Sequence, residues 1–570
     1  MENKVKNKMH HHLTLRNKII IMLSVMASLF LVALDQMVFS TSLGKIVEEF
    51  NAYSSLSWVV TAYLITTTVT VPIAGKLSDL FGRRIMLLIG IAVFVAGSLF
   101  GGMSGDISQL IFWRAVQGIG GGIITANAFS IVGDLFAARE RGKWQGLIGA
   151  VFGISSVAGP LIGGFLTESH NVLGLVTNWR WTILMNVPIG IIAFIVIFIY
   201  CPLLKHDKHP HIDYAGAGLL AFALATLVLA IDNTKSIFAD LMDQTGLSLV
   251  GLRVIMFSLI AIAVLVFLRV EKKAKEPILP MYFFKNKNYV LIMAVALLFG
   301  SAFLGSILYL TQFNQQVFGA SPTESGLMLL PMVFGLTISS IGTGQIMSRT
   351  GKYKIFMQIG TAVAATSILC LLALKPESSY IFEAVVMVFL GIGMGVSMPV
   401  INLVVQNEFQ QSDIGAATSS SQLFRGLGST IGIALFSAVL TAGIAVNVTD
   451  MQNSKYIQAL KNSPAASKIG SFNDSDTLLT LNMPSVKNKI TSESEKAFSQ
   501  LPPMIQQKAT DQFKANQSEY SDIVTHSFSN GMHNIFLIAS IIMLSATITI
   551  SFITERPLKS GKVSDAPGVM

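Results

Sequence analysis

Asp35 is a carboxylate set inside an apolar run, SLFLVALDQMVFSTSL, seven residues before Ser42. At helical rise that depth is about 10 Å from the outer end of a membrane span. Arg114 stands seven residues into a different apolar segment, which begins at Ile107. The two charges therefore reach the same depth. Each is costly alone in hydrocarbon, and together they can pair. Such a pair is either a static strut or a place where a proton binds when a cation displaces the partner. Gln117, one helical turn beyond Arg114, can share the same cavity.

A second charged constellation is the hairpin GKLSDLFGRR, from Gly75 to Arg84. Asp79 ends one apolar segment, Arg83 and Arg84 open the next, and Gly75 and Gly82 frame the turn. It reads as a topology anchor or as a gate between helix ends. A third feature carries no charge. Gly146, Gly149, Gly153, Ser156, Gly159, Pro160, Gly163 and Gly164 recur at spacings that put most of them on one helix face. Small residues let another backbone approach closely, and Pro160 adds a bend.

The elements that must hold these groups are membrane helices. Of the 570 residues, 52% are hydrophobic and 12% charged, and the mean hydropathy is +0.62. A soluble chain carries about 25% charged residues. Fourteen runs are long enough to span: 19–42, 54–75, 84–103, 107–133, 143–167, 180–201, 213–231, 249–268, 289–313, 322–346, 354–374, 380–404, 415–443 and 531–554. The even count puts both termini on one side. The first run is too long for a cleavable signal and is expected to stay as a span. Lysine and arginine concentrate in the two tails and in alternate loops, which places both termini in the cytoplasm of a plasma-membrane protein. The net charge of +9 is thereby a topology signal, and nucleic acid is not a required partner.

The expected fold is all-α and integral to the membrane. A cytoplasmic tail (1–18) precedes a six-helix bundle (19–201), two inserted helices (202–270) and a cytoplasmic linker (271–288). A second six-helix bundle (289–554) and a tail (555–570) follow. The second bundle repeats the first weakly. GQIMSRTGKYK, from Gly344 to Lys354, echoes the first hairpin, with Ser348 where Asp79 stands. The polar stretch 444–530 is an outer loop of partial helix, with Pro503–Ala515 as an amphipathic run. Cys201 and Cys370 read as reduced packing residues. The Met9–His12 histidines have no nearby partners to complete a metal site. No glycine-rich phosphate loop, paired catalytic carboxylates or metal cluster is legible, so neither an enzyme nor a cofactor is expected. Phe39, Tyr63, Gln117, Tyr309, Gln312 and Asn402 are candidate lining residues of an apolar, aromatic cavity. Glu324 and Glu383 sit near outer helix mouths and read as interfacial groups or as an exit path for a cation.

Several of these motifs resemble the major facilitator superfamily. The 75–84 hairpin looks like its loop signature, and Arg114–Gly120 (RAVQGIG) is similar to its fourth-span motif. Gly153 to Gly164, ending GPLIGG, resembles the fifth-span motif of drug:proton antiporters. LDQMVFSTSL (34–43), WVVTAYLI (58–65), NWRWTILMNVPIG (178–190), EPILP (276–280), VFGASPTESGLMLLP (317–331) and GIGMGVSMP (391–399) resemble the fourteen-span drug:H⁺ antiporter family. That family usually has Thr where Met37 stands and Asn near Ser40. The resemblance implies two bundles rocking about a central cavity. It implies proton coupling at Asp35 and Arg114, and an inner latch of Gly75, Asp79, Gly82, Arg83 and Arg84. In that latch Asp79 would face the start of the thirteenth span near Gly415. Gly153, Gly159, Pro160, Gly163 and Gly164 would form the moving seam. The cargo would be lipophilic or cationic toxic compounds, exported by a monomer in contact with membrane lipid. The energy source would be the proton gradient. An exporter of one lipid, peptide or metabolite, and a non-transporting scaffold acting through the outer loop, remain as rival readings.

Overall fold

The computed structural model describes residues 14–50, 56–167, 171–172, 175–201, 211–231, 234–320, 322–410, 413–445, 448–461, 472, 475–482, 484–500, 502–556 and 558. The Met9–His12 run, Lys4, Lys6, Lys8, Lys205, Lys208, Lys559 and the ring of Pro160 lie outside the described residues and side chains.

Lipid offers the backbone no hydrogen bonds, so apolar runs of this length satisfy their own as helices. Among the described residues fourteen helices are long and apolar enough to span. In chain order they are span 1 (Leu15–Phe39), span 2 (Trp58–Phe81), span 3 (Arg83–Gly102), span 4 (Ile107–Leu135) and span 5 (Ala138–Thr167). Next come span 6 (Trp179–Tyr200), span 7 (Tyr214–Ile231), span 8 (Leu249–Glu271), span 9 (Lys287–Gln316) and span 10 (Leu330–Thr350). Span 11 (Lys354–Ala373), span 12 (Tyr380–Glu408), span 13 (Ile414–Leu440) and span 14 (Pro503–Ser551) complete the set. Side chains mark several starts: Asp106 accepts from the Gln109 amide at 2.9 Å, and Ser248 from the Gly251 amide at 3.1 Å. Asn286 caps span 9 through the Asn288 and Tyr289 amides. Both basic hairpins turn on a glycine in the left-handed region, Gly82 (φ 98°) and Gly351 (φ 71°). Each comes seven residues after its leading glycine, Gly75 or Gly344.

Spans 1–6 enclose one apolar core, around Ile21, Phe94, Phe129 and Ile148. Spans 9–14 enclose another, around Phe299, Leu310, Met394 and Phe536. The bundles meet where span 5 packs on spans 10 and 12, and where span 13 packs on spans 2 and 4. Spans 7 and 8 pack on each other, and span 7 lies against span 2. A two-residue antiparallel ladder, Asn171–Val172 with Leu175–Val176, joins spans 5 and 6.

The 444–530 stretch is partly helical, as expected. Short helices Val448–Asn453, Lys455–Lys461, Ser475–Asn482 and Pro484–Phe498 lead into span 14. Span 14 itself is one 49-residue helix, about 74 Å long against a hydrocarbon core of about 30 Å. The amphipathic Pro503–Ala515 run is therefore the first part of the last span. On its first half Tyr520 packs against Tyr456 at 5.2 Å between ring centroids and donates to the Leu478 carbonyl at 2.7 Å, continuing the C-terminal core. Cys201 is buried as expected, whereas Cys370 is exposed on span 11, on a face where hydropathy alone cannot separate packing from lipid contact.

Candidate functional site

Asp35 is 2% exposed and draws four spans together. Arg114 donates to its Oδ2 at 2.6 Å. Gln117 and Asn186 donate to its Oδ1 at 2.9 and 2.8 Å. Gln117 also accepts from Arg114 at 2.8 Å and donates to Ser98 at 2.8 Å. Spans 3 and 4 come close enough for this because residue 97 has no side chain: a Cβ on Gly97 would lie 2.7 Å from the Gln117 backbone. The Arg114 guanidinium is sandwiched by Phe39 and Tyr63, at 4.1 and 4.3 Å from the ring centroids. Aromatic faces attract a cation while excluding water. Arg114 Nε and Asn186 Oδ1 have no hydrogen-bond partner, so the cluster retains capacity for a proton, a water or a polar cargo group. Asn186 and Ser98 were not singled out from sequence. Asn186 lies in the NWRWTILMNVPIG motif, where an amide among apolar neighbours was the available signal.

The 75–84 hairpin builds a second buried cluster. Asp79 and Arg83 are each 1% exposed. Arg83 donates to Asp79 at 2.5 Å, to Asp134 at 2.7 Å and to the Ser78 hydroxyl. Asp79 also accepts from the amides of Gly415 (3.2 Å) and Ala416 (2.9 Å), the first turn of span 13. A carboxylate there offsets the unpaired amides and the positive end of the helix dipole. Gly75 and Gly415 leave the room: a Cβ on Gly75 would overlap Ser419, and one on Gly415 would overlap Asp79. Nearby, Gln406 of span 12 donates to the Phe129 carbonyl at 2.9 Å, and Arg141 bonds the carbonyls of Gly133 and Gln406. Lys76 pairs with Glu276 of the linker at 2.6 Å.

Arg84 does not join this cluster. It points away to the Phe198 carbonyl at 2.5 Å, and its guanidinium lies 5.3 Å from the Phe198 ring. Adjacent helical positions face about 100° apart, so Arg83 and Arg84 cannot share one partner. Asp134, at the end of span 4, supplies the second carboxylate, a role hidden in sequence because it lies 51 residues from Arg83. The second hairpin lacks an acid at Ser348. Glu555, from beyond span 14, instead accepts from the Tyr353 and Lys354 amides at 2.8 and 3.1 Å.

The glycine face of span 5 lies against span 10. Ser340 donates to the Gly146 carbonyl at 2.8 Å, and a Cβ on Gly149 would lie 2.5 Å from the Ser340 hydroxyl. Gly153 faces Leu336 and Thr337 of span 10, while Gly159 turns to Met37 of span 1. The Gly163 carbonyl accepts from Thr167, which bonds Ser42; Gly164 is half-buried beside it. A Gly146→Val substitution should force spans 5 and 10 apart, costing about 1–3 kcal/mol. It should lower both the unfolding midpoint and the turnover. Gly218→Val, where nothing lies within 4 Å, should change neither.

The candidate lining residues divide. Phe39, Tyr63 and Gln117 belong to the Asp35 cluster. Asn402 is 2% exposed and accepts from Ser421 (3.0 Å) and Gln422 (2.8 Å). Gln422 in turn accepts from Arg425 at 2.5 Å, whose guanidinium lies 5.7 and 5.9 Å from the rings of Phe129 and Phe152 across the bundle interface. Tyr309 packs edge-on against Phe436 inside the C-terminal bundle and donates to the Ile433 carbonyl at 3.4 Å. Gln312 is half-buried on the same helix. Glu324 is exposed, in the first turn of the short helix Pro322–Met328. Glu383 lies in the first turn of span 12, at a helix mouth, but it is 0% exposed, buried among protein rather than facing out.

Fourteen apolar helices make this a multi-pass membrane protein. A family model described as Major Facilitator Superfamily matches residues 25–433, and the chain belongs to that superfamily. Multidrug transporter protein MdtP of Bacillus subtilis (strain 168) is 38% identical over 426 residues, 74% of this chain and 75% of that protein. Multidrug resistance protein 3 of the same strain is 32% identical over 422 residues, 74% and 79% of the two chains. The human organic anion transporter MFSD10 (TETRAN) superposes with a TM-score of 0.55 at 14% identity, covering 74% of this chain and 93% of that one. The proton:xylose symporter XylE does so with 0.54 at 15% identity, covering 75% and 90%. These two likenesses show the fold.

Proposed function

We propose that this protein is a proton-coupled efflux antiporter that exports lipophilic or cationic toxic compounds by alternating access. The observation that carries the reading is Asp35: a buried acid held by a guanidinium, two amides and two aromatic faces inside the N-terminal bundle. Protonation of Asp35 weakens its hold on Arg114. A cationic cargo competes for the same carboxylate, so cargo and proton exclude each other there. Asp79 and Arg83 latch the inner ends of spans 2 and 13, and the glycine face of span 5 is the seam on which the bundles rock. No cofactor takes part, and the proton gradient supplies the energy. The multidrug names of two relatives support the cargo class. The basic inner hairpins support termini in the cytoplasm of a plasma-membrane protein.

The test is proton release from purified protein in weak buffer. Adding a lipophilic monovalent cation should release protons from the wild type and none from Asp35→Asn. Equal release from both would remove Asp35 from the coupling role.

A further inference from the structure

Glu383 is a buried acid that the cycle above does not use. It sits in the first turn of span 12, 0% exposed. Beside it is Asn314 of span 9, also 0% exposed. Asn314 is thus the hydrogen-bonding neighbour of Glu383. The two carboxylate oxygens and the Asn314 amide oxygen and nitrogen, four buried polar atoms, make no bond to any third group among the described residues. Native interiors rarely leave such groups unsatisfied without a reason.

No charge compensates Glu383 among the described residues. Spans 5, 9, 10, 11 and 13 pack on span 12. Their charged side chains, such as Arg139, Lys287, Arg349 and Lys354, sit at the inner ends, and Arg425 is at mid-depth bonded to Gln422. On its own helix Tyr380 is the nearby titratable group, and its hydroxyl donates to the Met328 carbonyl at 2.9 Å. On span 14, His533 contacts the Leu374 carbonyl at 2.8 Å, and His526 lies 3.7 Å from Glu377 with both side chains exposed.

The contrast with Asp35 is informative. Asp35 has a guanidinium and two amide donors, the surroundings of an ionised carboxylate. An ionised Glu383 would carry a desolvation penalty of several kcal/mol with no attraction to offset it. The neutral acid avoids that penalty and gains a donor, which the side-chain amide of neighbouring Asn314 can accept through its oxygen. The same helix end supports the outer layer: Gln316 donates to the Leu479 carbonyl at 3.4 Å, and its own carbonyl accepts from Asn482 at 3.4 Å.

We propose that Glu383, opposite Asn314, is a second proton-binding site, in the C-terminal bundle, and that it raises the coupling to two protons per cargo molecule. The proposal rests on the antiport reading above. Exchange of one proton for a monovalent cation moves no net charge. A second proton makes each cycle carry one charge inward, so membrane potential drives export. A potential of about 100 mV then adds about 2.3 kcal/mol, or about 50-fold, to the attainable cargo gradient.

The experiment uses the full chain in proteoliposomes with ethidium as cargo. Transport is driven either by a pH gradient at zero potential or by a potential at equal pH, with and without sodium. Wild type should respond to both drives without sodium. Glu383→Gln should keep a weaker pH response, about one decade of gradient per pH unit instead of two, and lose the voltage response, lowering the gradient at 100 mV by about 50-fold. The infrared carboxylic C=O band of a dry, protonated acid should be present in wild type and missing in Glu383→Gln. An unchanged voltage response in Glu383→Gln overturns the proposal, as does an unchanged infrared band or a voltage response that requires sodium. If wild type moves no ethidium under either drive, the antiport reading fails, and the infrared band alone decides whether Glu383 holds a proton.

Discussion

Asp35→Asn should reduce pH-driven efflux to background while downhill cargo exchange continues. The substitution preserves shape and keeps one oxygen to accept from Arg114 or Gln117, but an amide takes no proton in this range. A carrier without its proton site still binds cargo and still rocks, so counterflow survives where uphill transport does not. The substitution also leaves Arg114 buried without a counter-charge. Removing one partner of a buried pair costs about 3–5 kcal/mol, and the two aromatic faces recover part of that through cation–π attraction. The unfolding midpoint of Asp35→Asn should therefore fall. The double variant Asp35→Asn/Arg114→Gln should restore the midpoint without restoring pH-driven efflux. A strut behaves otherwise: transport would return together with stability. Efflux assays and thermal unfolding on the three proteins separate the two roles.

Asp79→Ala should slow the cycle at least about tenfold while leaving cargo affinity unchanged. The expectation follows from the Gly415 and Ala416 amides, which lose their acceptor at the start of span 13. Charge-assisted hydrogen bonds contribute about 1.5–3 kcal/mol each, and this loss falls on the state in which the inner ends are joined. At 1.4 kcal/mol per tenfold, even one such bond shifts the balance of states by an order of magnitude. Arg83 retains Asp134, so the hairpin itself should stay folded. Cysteines placed at inner positions on spans 2 and 13 should label faster in Asp79→Ala than in the unaltered background. Unchanged turnover and unchanged labelling would leave Asp79 as a topology anchor. Arg84→Ala should affect neither, since Arg84 lies outside the cluster.

Much of the fold was legible because its signals are local. Apolar length, basic loops and a glycine turn each read within about 25 residues, and lipid forces such runs into helices. The 444–530 region was less legible because its helices are short and polar, and because span 14 runs as one helix from polar into apolar sequence without a break. Part of the site was also legible. Asp35 and Arg114 stand at equal depth, and equal depth follows from helical rise alone. Depth does not fix rotation, however. Which side of a helix faces which neighbour depends on packing, and in a membrane small residues govern how closely backbones approach.

The amino-acid sequence by itself determined that the chain has fourteen membrane-spanning helices, with an acid and a base at one level and a charged turn between spans 2 and 3. Tertiary structure alone decided the partners. It brought Asn186 to Asp35 across 151 residues, gave Asp134 to Arg83 and turned Arg84 away. It set Asp79 on the first amides of span 13 and left Glu383 facing an amide with no charge in reach. Hydropathy is a property of each stretch taken singly. Pairing depends on helix rotation and contact between distant stretches, and these are settled when the bundles pack.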